Sequence, residues 1–471
     1  MTTQVAEPQV AEPDAATALY PPTVIAPPRP LPLRRFLLTF VRNPLRSVPQ
    51  SVYEQPILVH RSSRNTVAYV TDPALIERVL LQDAQRFPKS PLEKQVLGDT
   101  LGDGILTSEG ASWRWQRRTA APLFRPADLA GLVPAMTSAA QDQIERWRRA
   151  PAGTMHAIDR DMTETTFHVI SATMFAGSAD QEAAAIMQAA DATLATISWD
   201  VAAALLGLPN WMWVPGRLRR RRGGRRLRSA VATIIARRRK EGLDGTDLLS
   251  RLASASHPDS GAPMSDARLI DNLVTFLEAG HETTAKALTW ALYLLARAPS
   301  WQERIRAEVR KVTSGQPIDA SHIDRLLVTR AVLKEAMRLY PPAPIITHIA
   351  AEDTELAGQT IPARSLIFIP IFAVHRHRRL WTDADRFDPE RFTPEREAGY
   401  ARAQFMPFGF GARTCIGMSF AMLEGVALLA TLVAHARFGW DGHHAPEPIS
   451  RVTLRPQGGM PLAVWPHESA G

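Results

Sequence analysis

The sequence predicts a mainly α-helical protein with small β-sheets, and three observations support this fold class. Between Pro122 and about Arg338 the chain consists chiefly of Ala-, Leu- and Arg-rich segments with helical periodicity. Short extended segments precede and follow this region. The chain has 471 residues, of which 45% are hydrophobic, and this is enough for a large buried core. We therefore expect a helical body with minor sheets.

The first 33 residues contain eight prolines and a repeated Val-Ala-Glu-Pro. We expect residues 1–33 to form a Pro-rich, flexible tail and residues 34–471 to form a single domain. The sequence lacks the charged and apolar pattern of a signal peptide, and Phe36 to Val41 is too short to span a bilayer. The single cysteine, Cys415, excludes an intramolecular disulfide. These features predict a soluble, cytoplasmic protein without a transmembrane segment.

The remaining elements follow in chain order. A strand pair is predicted at Ile57 to His60 and Thr66 to Thr71 around the polar turn from Ser62 to Asn65, with a helix that begins at Pro73. After Tyr340 the pattern predicts extended segments at Ile345 to Ala350 and Leu366 to Pro370. A coil is predicted from Arg378 to Phe408 and a helix from Ile416 to Ala434. The last extended segment is predicted at Val452 to Val464. The strands thus flank the helical region on both sides.

The formal net charge is +8, and the basic excess lies between Arg217 and Lys240, where no acidic residue occurs. A basic chain is compatible with nucleic-acid binding, but no zinc-finger spacing, basic zipper or RNP-like motif accompanies this run. We therefore interpret the run as the solvated face of a helix and expect no nucleic-acid partner.

The segment from Phe408 to Gly417 is the most informative part of the sequence. It places Cys415 between glycines at the start of a helix, whose N-terminus helps to keep a thiolate ionised. Gly411 and Gly417 allow the backbone to approach a flat cofactor, and nearby amides can hydrogen-bond the sulfur. Arg413 is positioned to meet a carboxylate of such a cofactor. From the residues alone, a buried, unreactive cysteine is the alternative.

This stretch resembles the haem-binding loop of the cytochrome P-450 family, FxxGxRxCxG, and the five fixed positions match at Phe408, Gly411, Arg413, Cys415 and Gly417. The resemblance, to the soluble bacterial type, implies that a haem lies between a long distal helix and the helix that follows the cysteine loop. It implies haem b as the cofactor, with the Cys415 thiolate as the axial ligand of the iron. The other four residues would complete the cofactor site.

A second segment, Ala-Gly-His-Glu-Thr-Thr from Ala279 to Thr284, interrupts an apolar helix, where glycine, threonine and an acid are unfavourable. It resembles the distal oxygen-binding motif of the same family. In that role Gly280 would leave room for dioxygen, Thr283 would hold the distal oxygen and Glu282 would relay protons. From the residues alone, a polar kink with Thr284 bonded to the preceding turn is the favoured alternative.

Glu335 and Arg338 place an acid and a base on one face of a helix that ends at Tyr340. This helix resembles the P-450 helix whose ion pair binds an arginine of the following coil, and Arg391 matches that partner. The three residues would then hold the haem loop in a structural role. The same spacing occurs in two other pairs, which we interpret as exposed helix pairs: Glu145 with Arg148 and Glu303 with Arg306.

Trp113 and Arg117 are four residues apart and so lie on one face of a predicted helix. They resemble the family's contact to a haem propionate, and a surface aromatic–cation pair is the alternative. The chain departs from the family at one position. Where an arginine commonly binds the second propionate, this chain has His348, which would make that contact sensitive to pH.

The resemblance implies a haem-thiolate monooxygenase that inserts one oxygen atom of dioxygen into a hydrophobic substrate such as a fatty acid, terpenoid or steroid-like molecule. Because the sequence contains no flavin or ferredoxin domain, we expect a separate electron donor, a ferredoxin with its reductase. The expected substrate pocket is lined by Leu97, Ile105, Leu106, Phe276, Ala279, Ile345, Ile346 and Leu454.

Three alternatives to this function remain. A peroxide-using peroxygenase and a redox-neutral haem isomerase would keep the cysteine loop but would not need Glu282 and Thr283. A haem sensor without enzymatic activity would need an output domain, and the sequence shows none.

Overall fold

The computed structural model describes residues 18–61, 66–194, 196–209, 211–243, 245, 247–257 and 261–467. Its α-helices are α1 (Leu33–Arg42), α2 (Pro73–Glu77), α3 (Pro91–Leu101), α4 (Gly110–Ala120), α5 (Pro126–Leu129), α6 (Val133–Arg148), α7 (Ile158–Met174), α8 (Ala183–Leu194), α9 (Ile197–Leu205), α10 (Arg217–Glu241), α11 (Leu248–Ala253), α12 (Asp266–Arg297), α13 (Pro299–Thr313), α14 (Ala320–Ile323), α15 (Leu327–Leu339), α16 (Ile371–Val374), α17 (Pro394–Glu397) and α18 (Met418–His435). These helices confirm the predicted helical region, the helix predicted to begin at Pro73 and the helix predicted from Ile416 to Ala434.

The strands form small sheets, as predicted. They are β1 (Ile57–Arg61), β2 (Thr66–Val70), β3 (Thr154–Ala157), β4 (Ile346–Ile349), β5 (Thr354–Leu356), β6 (Gln359–Ile361), β7 (Leu366–Ile369), β8 (Ala436–Gly439), β9 (Pro448–Ser450), β10 (Leu454–Pro456) and β11 (Pro461–Pro466). The largest sheet has the order β1-β2-β7-β4, in which β7 is parallel to β2 and the other neighbours are antiparallel. The other sheets are β3-β11-β8, β10-β9 and β5-β6. The turn predicted at 62–65 lies outside the described residues.

Helix α12 is the centre of the hydrophobic core. It begins after Ser265, whose hydroxyl accepts a hydrogen bond from the Arg268 N–H, and most of its 32 residues are buried. Helices α7, α15 and α18 pack against it. Among the described residues, α18 is the one helix with the length and composition to span a membrane, but 61% of it is buried inside the protein.

The basic run forms α10, but part of this helix is buried and not solvated as predicted. Arg217 Nε and Arg220 Nε donate to the two carboxylate oxygens of the buried Asp200, at 2.7 and 2.9 Å. Arg238 is also buried and binds Asp247 at 3.0 Å. Buried guanidinium groups are tolerated where a carboxylate compensates them, and these carboxylates lie outside the run itself.

Residues 18–32, predicted as part of a flexible tail, pack on the helical body instead. The Tyr340 hydroxyl donates to the Pro22 carbonyl at 2.6 Å, the Phe387 N–H donates to the Leu19 carbonyl at 2.9 Å, and Val24 is buried. Proline has no N–H to donate in a helix or a sheet, but the backbone carbonyl groups of this segment can still accept hydrogen bonds from the helical domain. Residues 1–17 of the predicted tail lie outside the described residues.

The Glu335–Arg338 pair on α15 is fully buried. Arg338 Nε and Nη2 donate to the two carboxylate oxygens of Glu335 at 2.6 and 2.8 Å, and Arg391 Nε lies 3.6 Å from Glu335 Oε1. Arg338 also donates to the carbonyls of His375, Ala384 and Arg386. The three predicted partners are therefore together, and they connect α15 to the coil that follows α16.

The two other pairs with this spacing differ from each other in burial. Glu145 and Arg148 form an exposed ion pair, as predicted. In the second pair Glu303 is exposed, but Arg306 is buried and donates to the carbonyls of Val433 and Ala436 at the end of α18. The expectation of an exposed pair was wrong for Arg306, because the guanidinium satisfies carbonyls that the helix end leaves without a partner.

The difference in burial predicts a difference in stability. Glu335→Gln leaves the Arg338 guanidinium buried without its counter-charge, so the free energy of unfolding should fall by about 3 to 5 kcal/mol. Glu145→Gln breaks an exposed pair with the same spacing and should change it by less than about 1 kcal/mol. Equilibrium unfolding in urea measures both variants. Similar small losses in the two variants would contradict the structural role of Glu335.

Candidate active site

Cys415 lies in a tight turn immediately before α18. The Cys415 N–H donates to the Phe408 carbonyl at 2.9 Å and closes this turn. Gly411 has a φ of 75°, and a Cβ at this position would lie 2.2 Å from the Leu80 carbonyl oxygen, so the loop requires glycine there. The turn exposes Cys415 to the main cavity. Other residues of the loop, among them Phe408, Phe410 and Gly417, line the same cavity.

The surroundings of the Cys415 thiol do not fully stabilise a thiolate. Burial raises the pKa of Cys415, while the Gly417 N–H and the Arg117 guanidinium oppose the shift only in part. An ionised sulfur therefore needs a further positive charge, such as a metal ion. In the part of the chain that the structure describes, no group of three or more His, Cys, Asp or Glu could hold a metal.

Arg117 and Arg413 flank the cavity near Cys415, and neither has an ion-pair partner among the described residues. The Arg413 guanidinium stacks on the Trp113 ring at 3.9 Å and donates to the Ser108 carbonyl at 3.0 Å. Arg117 lies 5.8 Å from the same ring. Burial lowers the pKa of both arginines, so an anion bound between them would be stabilised. Two such guanidinium groups fit the two carboxylates of a haem.

His348 also lines the cavity. Its Nδ1 lies 2.7 Å from the Phe87 carbonyl oxygen, so the N–H on that side donates to the backbone. Burial lowers the pKa of His348, which favours the neutral ring. The contact between His348 and a propionate stays a prediction. Because Nδ1–H is used on the backbone, Nε2 of the neutral ring has no proton to donate, and a hydrogen bond to a carboxylate requires the protonated ring.

Helix α12 contributes Gly280 and Thr283 to the cavity wall. A Cβ at Gly280 would lie 2.7 Å from Ile170 Cδ1 on α7. The absence of a side chain therefore allows α7 to approach α12. Gly280 also borders the cavity, and its role in leaving room for dioxygen stays a prediction. The Thr283 hydroxyl donates to the Ala279 carbonyl at 2.7 Å, so Thr283 makes the bond to the preceding turn that the sequence alternative assigned to Thr284.

Glu282 is buried on the same helix and is held by residues from the end of the chain. Its Oε1 accepts hydrogen bonds from the Thr453 hydroxyl at 2.6 Å and from Arg455 Nε at 2.8 Å. Burial alone would raise the pKa of Glu282, but Arg455, Lys286 and Thr453 together hold it below its usual range. Glu282 is therefore a carboxylate at neutral pH.

Sequence reasoning missed several polar residues around the cavity. Thr453 and Arg455 have no local pattern that connects them to Glu282, which is more than 170 residues away in the chain. Glu424 is fully buried on α18, where burial raises its pKa to about 8 and the Thr284 hydroxyl opposes the shift. An acid in the apolar helix α18 was a usable signal, because a buried carboxyl needs compensation.

The cavity has a volume of about 1100 Å³, slightly above the range of about 300 to 1,000 Å³ that is usual for small-molecule sites. Its lining is chiefly apolar and contains most of the predicted pocket residues: Leu97, Ile105, Leu106, Phe276, Ala279, Ile345 and Ile346. Leu454 was predicted wrongly. Its side chain is fully buried in the core, and the preceding residues Val452 and Thr453 line the cavity instead. Two acidic residues that were not predicted, Glu93 and Glu278, also belong to the lining.

A cysteine presented to a large apolar cavity, beside two arginines without counter-ions, defines the site of a haem-thiolate protein. The comparisons agree. The family model for cytochrome P450 matches residues 25–462. Cyclooctat-9-en-7-ol 5-monooxygenase of Streptomyces melanosporofaciens is 31% identical over 416 residues, which cover 87% of this chain and 88% of the relative. Pentalenene oxygenase of Streptomyces avermitilis is 31% identical over 399 residues, which cover 83% and 86%.

Among solved structures, the cytochrome P450DA heme domain matches 96% of this chain and 99% of its own with a TM-score of 0.79. The sequence identity is 24%, so this likeness shows the fold alone. The chain belongs to the cytochrome P450 family, whose members are oxidoreductases that incorporate oxygen and carry a haem iron with a cysteine thiolate ligand. Cys415 is the one cysteine of the sequence and so the one residue that can supply this ligand.

The thiolate ligand predicts a spectroscopic signature. With dithionite and carbon monoxide, the haem-loaded protein should give the strongly red-shifted Soret band of thiolate-ligated haem. Cys415→Ala should lose this band, because no other cysteine can replace the sulfur. The neighbouring variant Thr414→Ser is the control and should keep it. A wild-type band at the position typical of histidine-ligated haem would contradict the assignment.

Proposed function

We propose that this protein is a monooxygenase that inserts one oxygen atom of dioxygen into a hydrophobic terpenoid, with electrons from a separate ferredoxin and its reductase. The observation that carries the proposal is the composition of one cavity wall. The Cys415 thiol, the Glu282–Thr283 pair and a chiefly apolar lining all border the same space. An apolar pocket binds a hydrophobic molecule, and the few polar groups are available for the chemistry.

The relatives support the terpenoid class over fatty acids and steroid-like molecules. Two of them are named for cyclooctat-9-en-7-ol and for pentalenene. Both names denote cyclic terpenoid skeletons, which differ in shape from the long chain of a fatty acid. At 31% identity the relatives support the substrate class for this protein but not a particular compound.

When bound, the haem supplies one-electron redox chemistry and the activation of dioxygen. The chain itself has to deliver protons into a chiefly apolar pocket. The Thr283 hydroxyl can turn from the Ala279 carbonyl towards the cavity and hold an oxygen atom there. Glu282 is ionised, and Arg455 links it to Asp191, which is 76% exposed. When Arg455 turns outward to Asp191, Glu282 can take up a proton from solvent and pass it towards Thr283.

Removing the Thr283 hydroxyl should separate oxygen activation from product formation. Thr283→Ala should keep haem incorporation, the carbon monoxide spectrum and substrate binding, but it should divert most reducing equivalents into hydrogen peroxide. Positioned proton transfer is worth about a hundredfold or more in rate, so the loss of product should be large. Assays of product, NADPH and peroxide with a reconstituted redox pair measure this.

The matched control is Thr289→Ala, because Thr289 makes the same type of bond, to the Ala285 carbonyl at 2.7 Å, and is buried on α12. This variant should stay coupled. Full coupling in Thr283→Ala would defeat the proposed role of the hydroxyl. Turnover with added peroxide alone at the wild-type rate would favour a peroxygenase, and product formation without any electron donor would favour the redox-neutral isomerase.

The separate electron donor is supported by an exposed basic strip on α4. Arg117 of this helix faces Cys415, whereas Arg114 and Arg118 are exposed and have no ion-pair partner among the described residues. Residues four apart share a helix face, so the two guanidinium groups form one patch near the cysteine loop. An acidic ferredoxin would dock there by charge complementarity. A cytoplasmic, soluble location belongs to this proposal and is supported by the burial of α18 inside the protein.

The docking patch predicts a salt-dependent electron transfer. Arg114→Glu combined with Arg118→Glu should slow reduction by ferredoxin at low salt, and the wild-type rate should itself fall as salt screens the patch. The control is Arg225→Glu with Arg226→Glu, which reverses two exposed charges on α10. Stopped-flow reduction under carbon monoxide measures all three proteins. Equal slowing by the two double variants would show a general charge effect and contradict the patch.

A further inference from the structure

Glu278 is a buried carboxyl in the cavity wall that the proton path does not use. It lies on α12 one turn before Glu282, and it borders the cavity among apolar neighbours such as Phe276 and Ala279. Its Oε1 is buried and has no hydrogen-bond partner among the described residues. A buried polar oxygen without a partner costs free energy, so its presence in an apolar wall requires a compensating contact.

The other polar side chains of this part of α12 have partners within the protein. The Thr275 hydroxyl donates to the Asp271 carbonyl at 2.7 Å, and the Thr283 hydroxyl donates to the Ala279 carbonyl at 2.7 Å. Glu282 binds Thr453 and Arg455. Glu278 differs from all three, because its Oε1 is buried without a partner among the described residues while its side chain borders the cavity. The missing partner is therefore to be sought in the bound ligand.

The charges around Glu278 keep it neutral. Burial raises the pKa of Glu278 to about 8, and the nearby carboxylates of Glu282 and Asp191 add to the shift. Arg455 opposes it, but this guanidinium already binds Glu282 at 2.5 Å and Asp191 at 3.3 Å. At neutral pH the side chain is thus a carboxylic acid with one O–H donor and one carbonyl acceptor. This combination matches a hydroxyl group, which can accept the first bond and donate the second.

We propose that Glu278 determines substrate specificity by exchanging hydrogen bonds with a hydroxyl group, so that the protein prefers a terpenoid alcohol to the corresponding hydrocarbon. This inference rests on the proposed function, because it names the polar group of the substrate for the same cavity. A hydrocarbon leaves the Glu278 carboxyl unpaired, whereas an alcohol satisfies it. The hydroxyl held at α12 also fixes the orientation of the carbon skeleton, and with it the carbon that is oxidised.

The experiment compares two probes that differ in the hydroxyl group alone, cedrol and cedrane. Both are titrated into the haem-loaded protein, and binding is followed by the change of the haem from low to high spin and, independently, by equilibrium dialysis. Glu278→Leu should weaken the binding of cedrol by about tenfold and leave that of cedrane unchanged or tighter. Glu278→Gln keeps a donor and an acceptor and should retain most of the affinity for cedrol.

The matched control is Thr289→Ala, which removes a buried polar group from the same helix at a position that does not border the cavity. It should change neither affinity by more than about twofold, because it shares no partner with Glu278. Equal changes of the cedrol and cedrane affinities in Glu278→Leu would overturn the inference, because a hydrogen bond to the hydroxyl affects the alcohol alone. Loss of cedrol affinity in Thr289→Ala as large as that in Glu278→Leu would also overturn it.

The carbon monoxide spectrum, recorded for each variant, separates this inference from the proposed function. A wild-type protein without the thiolate band fails the proposed function itself. The other outcome is that all variants keep the thiolate band and that Glu278→Leu does not change the preference for cedrol over cedrane. This outcome refutes the role of Glu278 and leaves the monooxygenase proposal unaffected.

Discussion

The buried ion pair of Glu335 and Arg338 binds helix α15 to the coil that leads to the cysteine loop. Arg338 is bound to carbonyls of the coil after α16, and Glu335 Oε1 also accepts the Asp388 N–H at 2.8 Å. The coil is tied to the loop in turn, because the Met406 N–H donates to His375 Nε2 at 2.9 Å. Burial lowers the pKa of His375 to about 3, so this nitrogen stays an acceptor at all physiological pH values. Since none of these groups can turn to solvent, each bond constrains the next.

Two carboxyl groups one turn apart on α12 have opposite protonation states, and their partners are the reason. Glu282 is compensated by Arg455 and Thr453 and is ionised, whereas Glu278 has no compensating group of its own and is neutral. The ionised group is suited to the transfer of protons from solvent. The neutral group is suited to hydrogen bonding with an uncharged ligand. Environment rather than residue type therefore divides the work between them.

The cavity combines an apolar lining with a basic edge. Arg117 and Arg413 are close to Trp113 and to the cysteine loop, where the carboxylates of the cofactor are expected, while the residues towards the substrate side are chiefly apolar. This separation keeps the cofactor and the hydrophobic substrate in different parts of one space. Helix α12 contributes to the substrate side, and its close contact with α7 depends on Gly280, where a Cβ would meet Ile170.

Local sequence patterns were sufficient to predict several elements of the fold and of the site. Periodicity and turn residues predict the helical region and the strand pair β1–β2. Sequence motifs predict the cysteine loop and the partners of Glu335. The tertiary structure alone decided contacts between distant segments. It pairs Glu282 with Arg455 and buries Arg217 and Arg306, because a carboxylate or a helix end far along the chain meets them. It also places Thr453 at the cavity and Leu454 in the core, because the chain bends through residues 451–453 beside the cavity and Leu454 begins the buried strand β10.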